Sequence, residues 1–246
     1  MVKRYIAALL LLCWGLAALP YTLVIDAGHG GKDPGAQSKT AKEKNINLAV
    51  ALAFGKLVEQ NFKDVKVVYT RKTDVFVELD ERANIANRAK VDLFIIIHTN
   101  ATAAKVGPQG TETYTLGMHR AADNLAVAKR ENSVITLEKG YEEKYEGFDP
   151  NSSESYIIFE LMQDKNMESS VKLAGLIQKQ FRSTAGRIDK GVHQAGFLVL
   201  RATSMPSVLI ELGYINNPNE AAYLTSTAGV NALAKSIYNA FVAYKK

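Results

Sequence analysis

The stretch Asp92–Ala101 reads DLFIIIHTNA. Its centre, Leu93–Ile97, is five apolar residues without alternation, three of them isoleucine. A strand with one wet face alternates apolar with polar; an unbroken run of this length is buried on both faces. That is the pattern of a central strand in a parallel sheet covered by helices. Outward from it, short apolar runs alternate with segments of helical period. Thr22–Asp26 (TLVID) and Val65–Tyr69 (VKVVY) predict strands. Glu43–Gln60 spaces Ile46, Val50, Ala53 and Leu57 as one helix face, and Glu78–Lys90 predicts a second helix. Thr111–Leu116 (TETYTL) alternates, as an edge or antiparallel strand does. Phe197–Leu200 and Val208–Ile210 predict two more short strands, and Leu233–Tyr244 a closing helix. No internal repeat interrupts the order. The expectation is an α/β fold, one domain over 21–246, with a mostly parallel central sheet flanked by helices on both faces.

Sheets of this kind keep their sites beyond the carboxyl ends of the strands. His29 follows TLVID inside the loop DAGHGGKDPG, Asp26–Gly35. His98 follows LFIII, Glu211 follows SVLI, and Glu43 opens the first helix. The glycines of the His29 loop permit unusual backbone angles, but they spell no nucleotide site. A dinucleotide pattern begun at Gly28 would need glycine at Asp33, and a P-loop would need Ser or Thr there. Two imidazoles and a carboxylate form a common catalytic zinc set with a position left for water. The chain has 4 histidines. His119 follows the alternating strand beside Arg120 and is expected on the surface. His193 is expected in a Gly-flanked loop, bordering the site without being a ligand. Taken singly, each candidate has a plainer account: a hydrogen-bonded histidine, a helix-dipole partner at Glu43, an ion pair at Glu211. Taken together, at three strand exits on one side of a sheet, they point to a metal.

Composition sets the outer limits. The 246 residues carry 30 Lys and Arg against 25 Asp and Glu, a net +5, with 47% hydrophobic and 22% charged residues. That mix excludes global disorder. The single cysteine excludes an internal disulfide framework and multi-cysteine metal sites. Residues 1–17 are expected to be a signal peptide. Lys3 and Arg4 precede an uncharged run of 14 residues, Ile6–Leu19. As a helix it would be about 21 Å long, short of a bilayer core of about 30 Å. Gly15 and Ala17 supply the small residues for cleavage, whereas Leu12 before Cys13 disfavours a lipid anchor. A buried N-terminal helix is the alternative. Without that leader the charge falls to +3, from 28 bases and 25 acids, and no basic stripe with interleaved aromatics remains. Nucleic acid is therefore not an expected partner, and no stable membrane span is expected after cleavage. The expected location is secreted or periplasmic.

Four ordered motifs resemble those of the zinc-dependent N-acetylmuramoyl-L-alanine amidases, the amidase-3 family. They are VIDAGHGGKDPGA at Val24–Ala36, EKNINLAVA at Glu43–Ala51, DLFIIIHTNA at Asp92–Ala101 and SVLIELGYINNPNE at Ser207–Glu220, with GVHQAGFLVLR before the last. The resemblance runs from about Leu23 to Tyr244. It implies Zn2+ held by His29, Glu43 and His98, with Glu211 as the catalytic glutamate. It also implies hydrolysis of the amide between N-acetylmuramic acid and L-Ala of the peptidoglycan stem peptide, in cell-wall remodelling and daughter-cell separation. Ile96 and Thr99 depart from the usual third motif, where Ser and Ala are frequent; neither change removes a ligand. The cell-division members carry an extra segment whose helix blocks the site until a protein activator displaces it. Residues 131–166 are expected to be its counterpart. Within them Glu138–Glu154 holds six acids and two bases, and the helical-looking Ser155–Asp164 follows. The plain alternative is a solvated loop. A glutamate from the insert could fill the zinc's open position, but the sequence does not say which. Two other functions share these features: a non-catalytic peptidoglycan-binding module, and a zinc exopeptidase or deacetylase on a similar fold.

Overall fold

The computed structural model describes residues 20–89, 91–118, 121–160 and 164–246. The expected signal peptide and His119 lie outside the described residues. Six strands form one sheet: β1 (Tyr21–Ala27), β2 (Val65–Tyr69), β3 (Leu93–Asn100), β4 (Thr111–Leu116), β5 (Asp189–Ala195) and β6 (Ser207–Tyr214), in the order β2-β1-β3-β6-β4-β5. Strands β2, β1, β3 and β6 are parallel; β4 runs antiparallel to β6 and parallel to β5. The α/β expectation therefore holds, with a mixed, mostly parallel sheet.

Period-2 alternation divides the core between the two faces. On one face Leu23, Ile25, Leu93, Ile95, Ile97, Val208 and Ile210 pack under α1 (Glu43–Asn61), α5 (Met167–Ala185), α7 (Pro218–Thr225) and α8 (Thr227–Lys245). On the other, Val24, Phe94, Ile96 and Leu209 pack under α2 (Leu79–Arg88), α3 (Ala122–Asn132) and the segment that follows α3. Ile96 is thus absorbed into this second core. Among the described residues no helix is long and apolar enough to cross a membrane.

Of the two readings of β4, antiparallel holds, against β6, and edge does not, because β5 pairs along its outer side. Other expectations need correction. Phe197–Leu200 is not a strand: Leu198–Arg201 forms the short helix α6. Apolar runs of four residues fit either geometry, and here Ala195, the end of a strand just before, already closes the ladder. His193 lies within β5, whose Gly and charged residues conceal its period. Of the helical-looking Ser155–Asp164, the described part is a 3-10 helix at Glu154–Glu160, and residues 161–163 lie outside the described residues.

The acid-rich segment is no solvated loop either. From α3 it passes through a 3-10 turn (Ser133–Leu137) and α4 (Tyr141–Lys144) to the second 3-10 helix. Ile135, Tyr145, Phe148, Tyr156 and Phe159 are buried in the second core beside Phe197 and Leu200. Its charges meet partners at the start of α2. Glu138 accepts from the Leu79 N–H at 2.7 Å and from the Tyr145 hydroxyl, and Lys144 bridges Glu78, Asp80 and Glu138.

Candidate metal centre

The His29 loop leaves β1 and is held from behind by two buried arginines. Arg71 Nε donates to the Ala27 carbonyl at 2.8 Å and its Nη2 to that of Gly28 at 3.0 Å. Arg82 donates to the Ala27 and His29 carbonyls, both at 2.9 Å, and pairs with Asp26 at 2.7 Å. These bonds hold His29 at φ 62, a conformation rare for a residue with a Cβ. Gly28 is required by contact rather than by angle: a Cβ there would lie 2.2 Å from His98 Nε2. Gly35 is required on both counts: its φ is 64, and a Cβ would meet the His29 ring at 2.6 Å and Glu43 Oε2 at 2.7 Å.

Helix α1 starts without a side-chain cap; the loop closes it instead, with the N–H groups of Glu43 and Lys44 donating to the carbonyls of Ala36 and Pro34. The Glu43 carboxylate is then free to turn inward. Its Oε2 accepts from Ala36 N at 2.7 Å and its Oε1 from Thr99 N at 2.8 Å. The Thr99 hydroxyl donates to Asn47 Oδ1, which gives that departure from the third motif a partner on α1. Strand β3 runs on through His98 to Asn100, so His98 stands within its last turn of ladder, at a register shift against β6. Bulges of this kind re-aim side chains beside sites.

Three strands and a helix therefore bring the sequence candidates together. His29 Nε2 and His98 Nδ1 each lie 3.1 Å from Glu43 Oε1. A fourth residue completes the group: Glu131 Oε2, from the last turn of α3, is 3.1 Å from His29 Nε2 and 2.9 Å from His98 Nδ1. The four ligand atoms lie within 4.8 Å of one another, and all four residues are buried. His29 Nε2 and Glu131 Oε2 have no hydrogen-bond partner, despite their closeness to the others. Atoms arranged about a shared centre behave so; atoms paired with each other do not. Tetrahedral zinc with bonds of about 2.0–2.1 Å separates its ligand atoms by about 3.3 Å, close to the spacing here. Asp33 supports this use of His29. Its carboxylate only accepts, so His29 Nδ1 donates to it at 2.6 Å and Nε2 is left with its lone pair. Burial opposes charge on both rings, but the surrounding carboxylates outweigh it: they push His98 up to about 9 and His29 well above its ordinary value. The donor set fits zinc.

Glu211 lies beside His98 in the β3–β6 register and is 1% exposed. Burial and the neighbouring Glu131 carboxylate hold its carboxyl well above the usual range, against the opposing Arg130. Arg130 reaches Glu211 Oε1 at 3.3 Å and Glu131 Oε1 at 2.7 Å, and donates to the Ala101 carbonyl at 2.6 Å. His193 stays apart, its ring against Tyr114. Sequence reasoning overlooked Asp33, Arg71, Arg82, Arg130 and Glu131. Asp33, four residues after His29 in the quoted loop, carried a local signal; the arginines and Glu131 are charges among many until the fold assembles them.

Comparison with known proteins agrees with the geometry. The family model for N-acetylmuramoyl-L-alanine amidase (Amidase_3) matches residues 23–243. The chain is 30% identical over 235 residues to the amidase AmiC of Escherichia coli, covering 92% of this chain and 53% of that protein. It is 30% identical over 229 residues to AmiA of Escherichia coli, covering 90% and 75%. It thus spans about half of AmiC and three quarters of AmiA. The N-acetylmuramoyl-L-alanine amidase of Clostridium difficile 630 superposes with a TM-score of 0.69 at 27% identity, covering 93% of this chain and 98% of that one. The catalytic domain of CwlV from Bacillus (Paenibacillus) polymyxa gives 0.66 at 30%, covering 92% and 98%. With the family pattern running through nearly every described element, the chain belongs to the N-acetylmuramoyl-L-alanine amidase family.

Proposed function

We propose that this chain hydrolyses the amide between N-acetylmuramic acid and L-Ala in peptidoglycan, with zinc held by His29, Glu43 and His98. The observation that carries this is the convergence of those three side chains beside the buried Glu211, in a chain of this family. Zinc bound there supplies a Lewis acid that activates water and polarises the amide carbonyl. The protein does the rest. Asp33 fixes the ring of His29, and the backbone N–H groups of Ala36 and Thr99 fix the orientation of the Glu43 carboxylate. Glu211 takes the proton of the attacking water and returns it to the leaving nitrogen. Mass spectrometry of digested wall tests this. Free stem peptide beginning with L-Ala is expected. Release of single terminal residues or of acetate would instead indicate the exopeptidase or deacetylase, and no release the binding module.

The same proposal makes 131–166, together with α3, a cover that holds the site closed. Glu131 stands in the remaining ligand position and Arg130 against Glu211, so consecutive residues block the metal and the base. Opening then needs a protein activator that lifts the segment. A secreted or periplasmic location, with residues 1–17 as signal peptide, follows from where this substrate is found.

A further inference from the structure

Glu112 is a second buried carboxylate that the chemistry above does not use. Register places it directly across from Glu211 on β6, and Glu211 beside His98 on β3, so the three form one row across the sheet. Its Oε1 accepts from the Tyr214 hydroxyl at 2.6 Å, and its Oε2 from the Tyr114 hydroxyl at 2.7 Å and Asn100 Nδ2 at 3.2 Å. Neutral donors thus fill it. On β5, Lys190 Nζ stands 3.8 Å from Oε1 and over the Tyr214 ring. At that distance the attraction is one of charge, and the ammonium keeps its donors for another partner. Lys190, Glu112, Tyr114, Tyr214 and Asn100 line a cavity of about 550 Å³ beneath α3. Arg130 lines it too, but its guanidinium is engaged by Glu131, Glu211 and the Ala101 carbonyl.

The row gives the cavity a direction. The leaving nitrogen must lie over Glu211 to receive its proton, with the metal ligands on one side. The peptide borne by that nitrogen then extends to the other side, over β4 and β5. A peptide carries carboxylates, whereas the glycan side offers mostly neutral hydroxyls. We infer that Lys190, held in place by Glu112, forms a subsite for a carboxylate of the stem peptide on the leaving side of the scissile amide. This rests on the amidase reading.

Calorimetric titration tests the subsite without turnover. The full-length chain carrying Glu131→Ala is titrated with a synthetic tetrapeptide beginning with L-Ala, and with the same peptide fully amidated at its carboxyl groups. Adding Lys190→Met should weaken the acidic peptide roughly tenfold, as loss of one charge-assisted contact does, and leave the amidated peptide unchanged. Lys190→Arg should restore acidic-peptide binding, with melting unaltered in each variant. Equal binding of the acidic peptide by the Lys190→Met chain, or no binding by its parent at millimolar concentration, overturns the inference. A parent that binds through Lys190 yet cuts no wall amide overturns the amidase reading alone.

Discussion

Truncating Phe159 should unlock the proposed cover. Its ring is 2% exposed and lies against the backbone of Gly196, where an added Cβ would be 2.4 Å from Phe159 Cδ2. It completes an aromatic trio with Phe148 and Tyr156, at centroid distances of 6.3 and 5.9 Å. Phe159→Ala at such a site costs about 3–5 kcal/mol. If the cover opens as a unit, the open form never had these contacts, and the whole cost falls on the balance between closed and open. At about 1.4 kcal/mol per tenfold, the open fraction rises on the order of 10²–10³-fold. The closed form still dominates at first, because Tyr145, Phe148 and Tyr156 each contribute about 1.5–3 kcal/mol of burial. The assay is release of dye-labelled fragments from purified sacculi, with zinc content measured in parallel. Amide exchange over α3 should accelerate by a similar factor. A lower melting temperature with the basal rate and α3 exchange both within twofold of the parent would refute the reasoning. The segment would then be one cooperative piece of the core.

Other perturbations act on the centre itself. Asp33→Ala removes the acceptor that fixes the His29 tautomer and should weaken zinc about 10–100-fold, measured by competition with a chelator. Glu211→Ala should retain stoichiometric zinc by elemental analysis and lose turnover; full activity would end its role as base. Arg82→Met strands Asp26 and the Ala27 and His29 carbonyls in the interior, so unfolding in urea should show a loss of about 3–5 kcal/mol.

The architecture was legible where single elements state their own period. The LFIII run gave the central strand because nothing polar interrupts it, and Glu43–Gln60 came within a residue of the observed helix. Strand β5 was not legible, because DKGVHQA has neither alternation nor an apolar run. The three expected ligands do converge, since the exits of β1 and β3 share one edge of the sheet and the His29 loop leads straight into the start of α1 at Glu43. Glu131 was hidden for a different reason. Its role depends on α3 folding back so that its last turn meets His29 and His98, which no local pattern encodes. The acid-rich segment misled through its average: Tyr145, Phe148, Tyr156 and Phe159 are sparse in the sequence but all face inward.

The connection between β4 and β5 carries a further consequence. The segment over the site leaves the sheet at Leu116 and returns through α5 into Asp189, so it is tied at both ends to strands bordering the catalytic row. Whatever lifts it cannot carry it away. Reclosure is therefore unimolecular, set by a fixed local concentration and indifferent to how much protein is present. If the segment is the proposed cover, no second factor is needed to switch the enzyme off: once an activator lets go, hydrolysis should end at the pace of a tethered arm falling back.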